Sequence, residues 1–303
     1  PLESEMIEGF SSILSAQTMF PVLSQDEMAG HYSENDVSKA VRLGRITGPG
    51  GAWDIIAKRV AELPEYAEAF QKVYADISEP SEIDFTDISN AIAGFIELEW
   101  RSDTSLFDAV LRGDAVLPEA AQRGAELFYG KAECATCHSG AFQTEHGFHA
   151  MGMPQFGPGK AARFESHARD TGRMRVTGNA QDAYAFRTPS LRNVSQTAPY
   201  GHTGAYADLE SFLEDHTQPQ TAISNFSRSS VTLPDLEVTD WAALDDPAEA
   251  ENISISAVNY AVKLEKSETA DLIAFLKTLD DKAALTGRLG IPDSVPSGLK
   301  IAR

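Results

Sequence analysis

The chain has 303 residues, 42% hydrophobic and 23% charged, enough to bury at least one sizeable core and compatible with one or two domains. A formal net charge of −20 excludes a nucleic-acid binder, which needs a basic face; the acidity either suits a partner with a positive patch or keeps the protein soluble. Two cysteines, three apart, exclude a disulfide framework, and no apolar run approaches the roughly 18 residues of a membrane span, so no membrane anchor is expected.

In chain order, the sequence starts at Pro1 with no basic-then-apolar leader, so any secretory signal has been removed or lies outside it. The first 130 residues read mainly as helices. Ile55, Ile56, Val60 and Leu63 share one face at helical spacing over 54–63, and Pro64 is expected to stop that helix. A broader apolar stripe, Ile88, Ala91, Ile92, Phe95, Ile96 and Leu98, predicts a helix over 86–100. A third begins near Pro118 and runs into the cysteine pair. Residues 140–199 show little periodicity of either kind, and a long irregular stretch in a compact domain is usually functional. Helical patterns return at 209–215 and after Ser267, a plausible N-cap, while 225–250 reads as loop.

The segment Cys134-Ala135-Thr136-Cys137-His138 is the C-x-x-C-H pattern of covalent c-type haem, in which each thiol adds to a haem vinyl and the histidine reaches the iron. A zinc site would want a second pair of ligands, and a redox dithiol would want a strand before the motif instead of a helix. For the sixth iron position, spacing does not choose among His146, His149, Met151, Met153, His167, His202 and His216.

Three ordered stretches carry a resemblance: LFYGKAECATCHSG (127–140), FRTPSLRNVSQTAPYGHTGAYADLESFLEDH (186–216) and ADLIAFLKTL (270–279). Together they resemble the carboxyl-terminal half of bacterial diheme cytochrome c peroxidases, a family that includes the MauG-type enzymes acting on a partner protein. The resemblance implies a mainly α fold, a cytochrome-c-like haem domain with long irregular loops over 116–303, and a helical segment over 1–115 that belongs with a peroxide-reactive haem. It implies that His216 is the second axial ligand, giving bis-His ligation and a lower-potential electron relay. It makes Glu27 the acid/base residue for peroxide O–O cleavage and Gln17 its positioning partner, at matching offsets in SAQTMFPVLSQDEM. It places calcium on the backbone carbonyls of Thr197 and Pro199. Arg187 and Arg192, flanking TPSLRN, are expected to pair with haem propionates.

The family carries two C-x-x-C-H motifs and this sequence one. Either a first haem domain is missing or supplied separately, or the chain is a monohaem descendant; retention of Gln17 and Glu27 favours the former. The expectation is therefore the haem c electron-transfer half of a periplasmic peroxidase that reduces hydrogen peroxide, with two haems in the intact protein. Its electron donor would be a small cytochrome or cupredoxin, and a homodimer is compatible with the resemblance. The alternatives are a monohaem electron-transfer cytochrome and a MauG-type enzyme oxidising a partner protein.

Overall fold

The computed structural model describes residues 7–158, 167–233, 235 and 237–301. The fold is mainly α with long irregular loops, and contacts divide it into two compact units, Pro1–Arg101 with Thr286–Arg303, and Ser102–Leu285. Among the described residues no helix is long and apolar enough to cross a membrane.

The first unit contains α1 (Ile13–Gln17), α2 (Asp36–Arg42), α3 (Ala52–Ala61), α4 (Pro64–Val73) and α5 (Phe85–Glu99). Its core forms where Trp53 of α3 stacks on Phe85 of α5 at 5.1 Å, with Phe10 edge-on to Trp53 and Met19 buried beside them. Asp84 caps α5 by accepting the amides of Thr86 and Asp87. Pro64 ends the preceding helix and also starts α4, because a proline lacks only the amide that a first helical turn leaves unpaired anyway. The buried Glu99 carboxylate accepts the amides of Arg288, Leu289 and Gly290, tying the last segment into this unit.

The second unit is built on α6 (Leu106–Arg112), α7 (Glu119–Tyr129), α8 (Leu209–His216), α9 (Pro247–Ser256) and α10 (Lys266–Leu276). A two-residue antiparallel ladder joins β1 (Phe148–His149) to β2 (Phe186–Arg187), the only strand pair among the described residues of the irregular 140–199 stretch. By contacts the second unit begins at Ser102, and within it Phe107 of α6 packs edge-on against the fully buried Phe275 of α10 at 5.3 Å. The stretch 225–250 is not all loop: Asp246 caps α9, whose first residue is Pro247. The cap of α10 is Glu265, in a reciprocal box with Glu268, in place of the expected Ser267.

Helices α7 and α10 approach closely at Gly124. A Cβ there would lie 2.0 Å from the Asp271 carbonyl oxygen and 2.8 Å from Phe275 Cβ, so backbone would have to move. Gly124→Ala is expected to lower unfolding stability by about 1–3 kcal/mol through overpacking, despite alanine's better helix propensity. A denaturation midpoint at or above wild type would show that the two helices can part without cost.

Candidate cofactor site

The second unit encloses a mainly apolar cavity of about 480 Å³. Helix α7 ends at Gly130, and the chain turns through a left-handed Glu133 into the short helical turn Cys134–Thr136. That turn presents Cys134, Cys137 and His138 to the cavity from one side. Helix α8 presents Leu209, Phe212, Leu213 and His216 from another. Burial pushes the Cys134 thiol up to about 11, so it is a neutral thiol at ordinary pH.

His138 and His216 face each other, with ring centroids 6.3 Å apart. An imidazole nitrogen binds a first-row metal at about 2 Å and lies roughly 1 Å from its ring centre, so two imidazoles on opposite sides of one ion have centres about 6 Å apart. The carbonyl of Gln143 lies 3.1 Å from His138 Nδ1, which fixes the ring and leaves Nε2 as its free nitrogen. Burial lowers the His138 pKa, opposed by that carbonyl and by the Glu145 charge. Phe212, one turn before His216, stacks on it at 4.8 Å, while His216 Nδ1 is buried without a hydrogen-bond partner. Burial, helped by the neighbouring His138, pushes the His216 pKa down to about 3, so its ring is neutral with a lone pair to donate. Two thiols, two opposed neutral imidazoles and an apolar cavity are a donor set that fits a covalently held haem.

The other sequence candidates divide. Arg187 lines the cavity, with Nη1 2.9 Å from His146 Nδ1, and remains placed to meet an anionic group there. Arg192 does not face the cavity. It makes a bidentate pair with Asp108, 2.9 Å to each oxygen, and donates to the Ala141 carbonyl, so it clamps this part of the irregular loop. Thr197 and Pro199 are exposed residues on the cavity lining. Gln17 and Glu27 lie in the first unit, both exposed, whereas every cavity-lining residue belongs to the second.

Of the remaining sixth-ligand candidates, Met151 and Met153 also line the cavity, and His202 stacks on Phe186 at 3.6 Å with Asp170 3.2 Å away. His149 lies 3.3 Å from Glu145, and with Cys137 these make a second set of metal-capable donors. Glu145 is also the acceptor for Thr188 Oγ1 at 2.6 Å. The sequence offered no signal for the carbonyl of Gln143, whereas the Phe212-x-x-x-His216 spacing of the stacking pair is visible once α8 is drawn as a helix.

Residues 3–116 match a family model described as di-haem cytochrome c peroxidase. Among curated proteins, the chain is 36% identical over 162 residues to the cytochrome c551 peroxidase of Nitrosomonas europaea, covering 53% of this chain and 45% of that protein. It is 28% identical over 254 residues to the methylamine utilization protein MauG of Methylorubrum extorquens, covering 82% and 62%. The chain spans about half the length of the curated relatives it matches. Among solved structures it resembles a MauG-like protein associated with microbial copper homeostasis, with a TM-score of 0.56 at 28% identity, covering 90% of this chain and 70% of that one. The diheme peroxidase BthA of Burkholderia thailandensis shares the fold, with a TM-score of 0.55 at 19% identity.

Proposed function

We infer that this chain, which belongs with the di-haem cytochrome c peroxidases and MauG-type proteins, is the electron-relay half of an oxidoreductase that reduces hydrogen peroxide. The observation that carries this is the opposed His138–His216 pair beside Cys134 and Cys137 in one cavity. Cys134 and Cys137 would hold haem c by thioether bonds, and His138 and His216 would be its axial ligands. A haem so ligated supplies reversible one-electron chemistry.

The chain's own residues set how that chemistry is used. His138 and His216 would together occupy the iron's protein-facing positions, so this site would relay electrons and peroxide would be handled elsewhere. Gln143 holds His138 through Nδ1, and Phe212 holds His216 by stacking, so neither ring needs to reorient when charge changes. Arg187 would neutralise a propionate. Glu27 and Gln17 would serve a peroxide-reactive haem as acid/base and positioning residues, and Thr197 and Pro199 would give carbonyls to calcium. A small cytochrome or cupredoxin would be the donor, and the setting the periplasm.

A second reading is a MauG-type enzyme that oxidises a partner protein: a MauG relative aligns over 82% of this chain and a MauG-like structure over 90%, beside a cytochrome-c peroxidase that aligns over 78%.

The test is to isolate the natural protein, count haems per polypeptide by pyridine haemochrome, and record spectra before and after hydrogen peroxide with calcium present. A low-spin bis-His component, with peroxide consumed at the expense of a small reduced donor, is the expected result. Consumption only with a protein co-substrate would favour the MauG-type reading. A single low-spin haem inert to peroxide would leave a plain electron-transfer cytochrome.

A further inference from the structure

Shortly after His138 the chain folds back on the C-x-x-C-H segment and brings a charge with it. Glu145 donates its backbone amide to the Cys137 carbonyl at 2.9 Å. Gln143 and His146, on either side of it, turn the chain through left-handed φ values of 48 and 59. Thr188, just after β2, pins the fold-back: its amide donates to the Gly147 carbonyl at 2.9 Å, and its carbonyl accepts Thr144 Oγ1 at 2.7 Å.

The Glu145 carboxylate is held as firmly as its backbone. Oε1 accepts the Thr188 hydroxyl at 2.6 Å and lies 3.3 Å from His149 Nε2. Oε2 fills the space a side chain at 147 would need, since a Cβ on Gly147 would lie 2.0 Å from it. One Glu145 oxygen, the Cys137 sulfur and a His149 ring nitrogen lie within 4.8 Å of one another. A thiolate could join the other two in holding an ion, but a sulfur bonded to haem is a thioether and has no thiolate to give. What the trio then retains is a negative charge beside the bond from Cys137 to the haem. The Thr188 hydrogen bond, against the cost of burial, holds the Glu145 carboxyl below its ordinary value, so the charge is present at neutral pH.

We propose that Glu145 sets the reduction potential of the haem in this cavity, its carboxylate being fixed against the Cys137 sulfur so that the ferrous state is disfavoured. This rests on the haem reading made above. Reduction adds one electron to the haem, and an anion a few ångströms from the ring edge raises the energy of the reduced state relative to the ferric one. The side chain is 30% exposed, so water and salt screen part of the effect. For a relay the direction matters: a haem of lower potential passes its electron on more readily.

The test is a potentiometric titration of the haem-loaded natural protein at one pH and ionic strength, followed by its visible spectrum. Glu145→Gln is expected to raise the potential, increasing the ferrous-to-ferric ratio at a fixed ambient potential by about three- to tenfold. Gly147→Ala keeps every charge but pushes the carboxylate off its place, and is expected to shift the ratio the same way by less. Glu119→Gln removes an exposed carboxylate at the end of α7 away from the motif and is expected to leave the potential unchanged. Haem content by pyridine haemochrome and a low-spin spectrum matching wild type show that each variant keeps the site. If the wild-type protein carries no c-type haem, the haem reading fails and this proposal with it. If the haem is bound and low-spin, yet Glu145→Gln leaves the potential in place or lowers it, the proposal alone is overturned. An equal shift in Glu119→Gln also overturns it, because the cause would then be net charge and not the placed carboxylate.

Discussion

Replacing His216 by alanine in the haem-loaded protein is expected to convert a low-spin, six-coordinate iron into a high-spin one that binds cyanide, azide or peroxide. The ring is neutral because burial and the neighbouring His138 hold its pKa at about 3, so no proton competes for the lone pair across the physiological range. Its stacking on Phe212 fixes the ring opposite His138, so a small side chain at 216 removes the ligand and leaves the wall standing. His216→Met is expected to restore six-coordination and raise the reduction potential, by some part of the roughly 0.8 V that axial ligands span. Visible and magnetic circular dichroism spectra with a redox titration read both. A His216→Ala protein that stays low-spin would transfer the role to Met151, Met153 or His202, which also line the cavity.

Asp108→Asn should cost about 3 kcal/mol of stability at pH 7. The side chains of Asp108 and Arg192 are only 9% and 13% exposed, and removing one partner of a buried pair strands the other's charge. The exposed Arg123–Asp271 pair has similarly short contacts, but with the arginine 56% exposed solvent screens it and its loss should matter much less. The Arg192 guanidinium, aided by Ser105 and against the cost of burial, holds the Asp108 carboxyl at about 2, below its ordinary 3.8. A depressed carboxylate adds stability that is complete above the unfolded value and lost as pH falls through the folded one. The pair's contribution, about 2 kcal/mol by linkage, should therefore disappear between about pH 4 and pH 2. Denaturant titrations at pH 7, 4 and 2 check this, since wild type and variant should converge at the acid end. A difference that stays constant down to pH 2 would rule out the ion pair as its source. Because Arg192 also grips the Ala141 carbonyl, two residues before the Gln143 that orients His138, Asp108→Asn should broaden the low-spin haem signal too.

Much of the site was legible in residue order. Cys134, Cys137 and His138 lie within five residues, and one turn brings them together whatever the rest of the chain does. The apolar stripes of α3, α5, α7 and α10 were readable for a similar reason, since helical periodicity is local. Short helices without a long stripe were not: α9 starts on an Asp-Pro step inside a polar stretch, and its inward face carries Glu249 together with Ile253, a mixture that periodicity does not register.

What depended on distance along the chain was decided by tertiary structure. His216 was one of seven candidates by spacing and became the partner of His138 only when α8 was laid across the cavity, 78 residues away in sequence. Arg192 had the right chemistry for a propionate, and folding put a buried carboxylate, Asp108, within 2.9 Å of both its terminal nitrogens, a pairing that residue order did not announce. The sequence by itself determined which groups can bond to a haem, since that chemistry resides in side chains at fixed short offsets. Only the fold decided which of the remaining polar groups face the cavity and which cancel one another's charge, because burial and pairing are set by long-range packing.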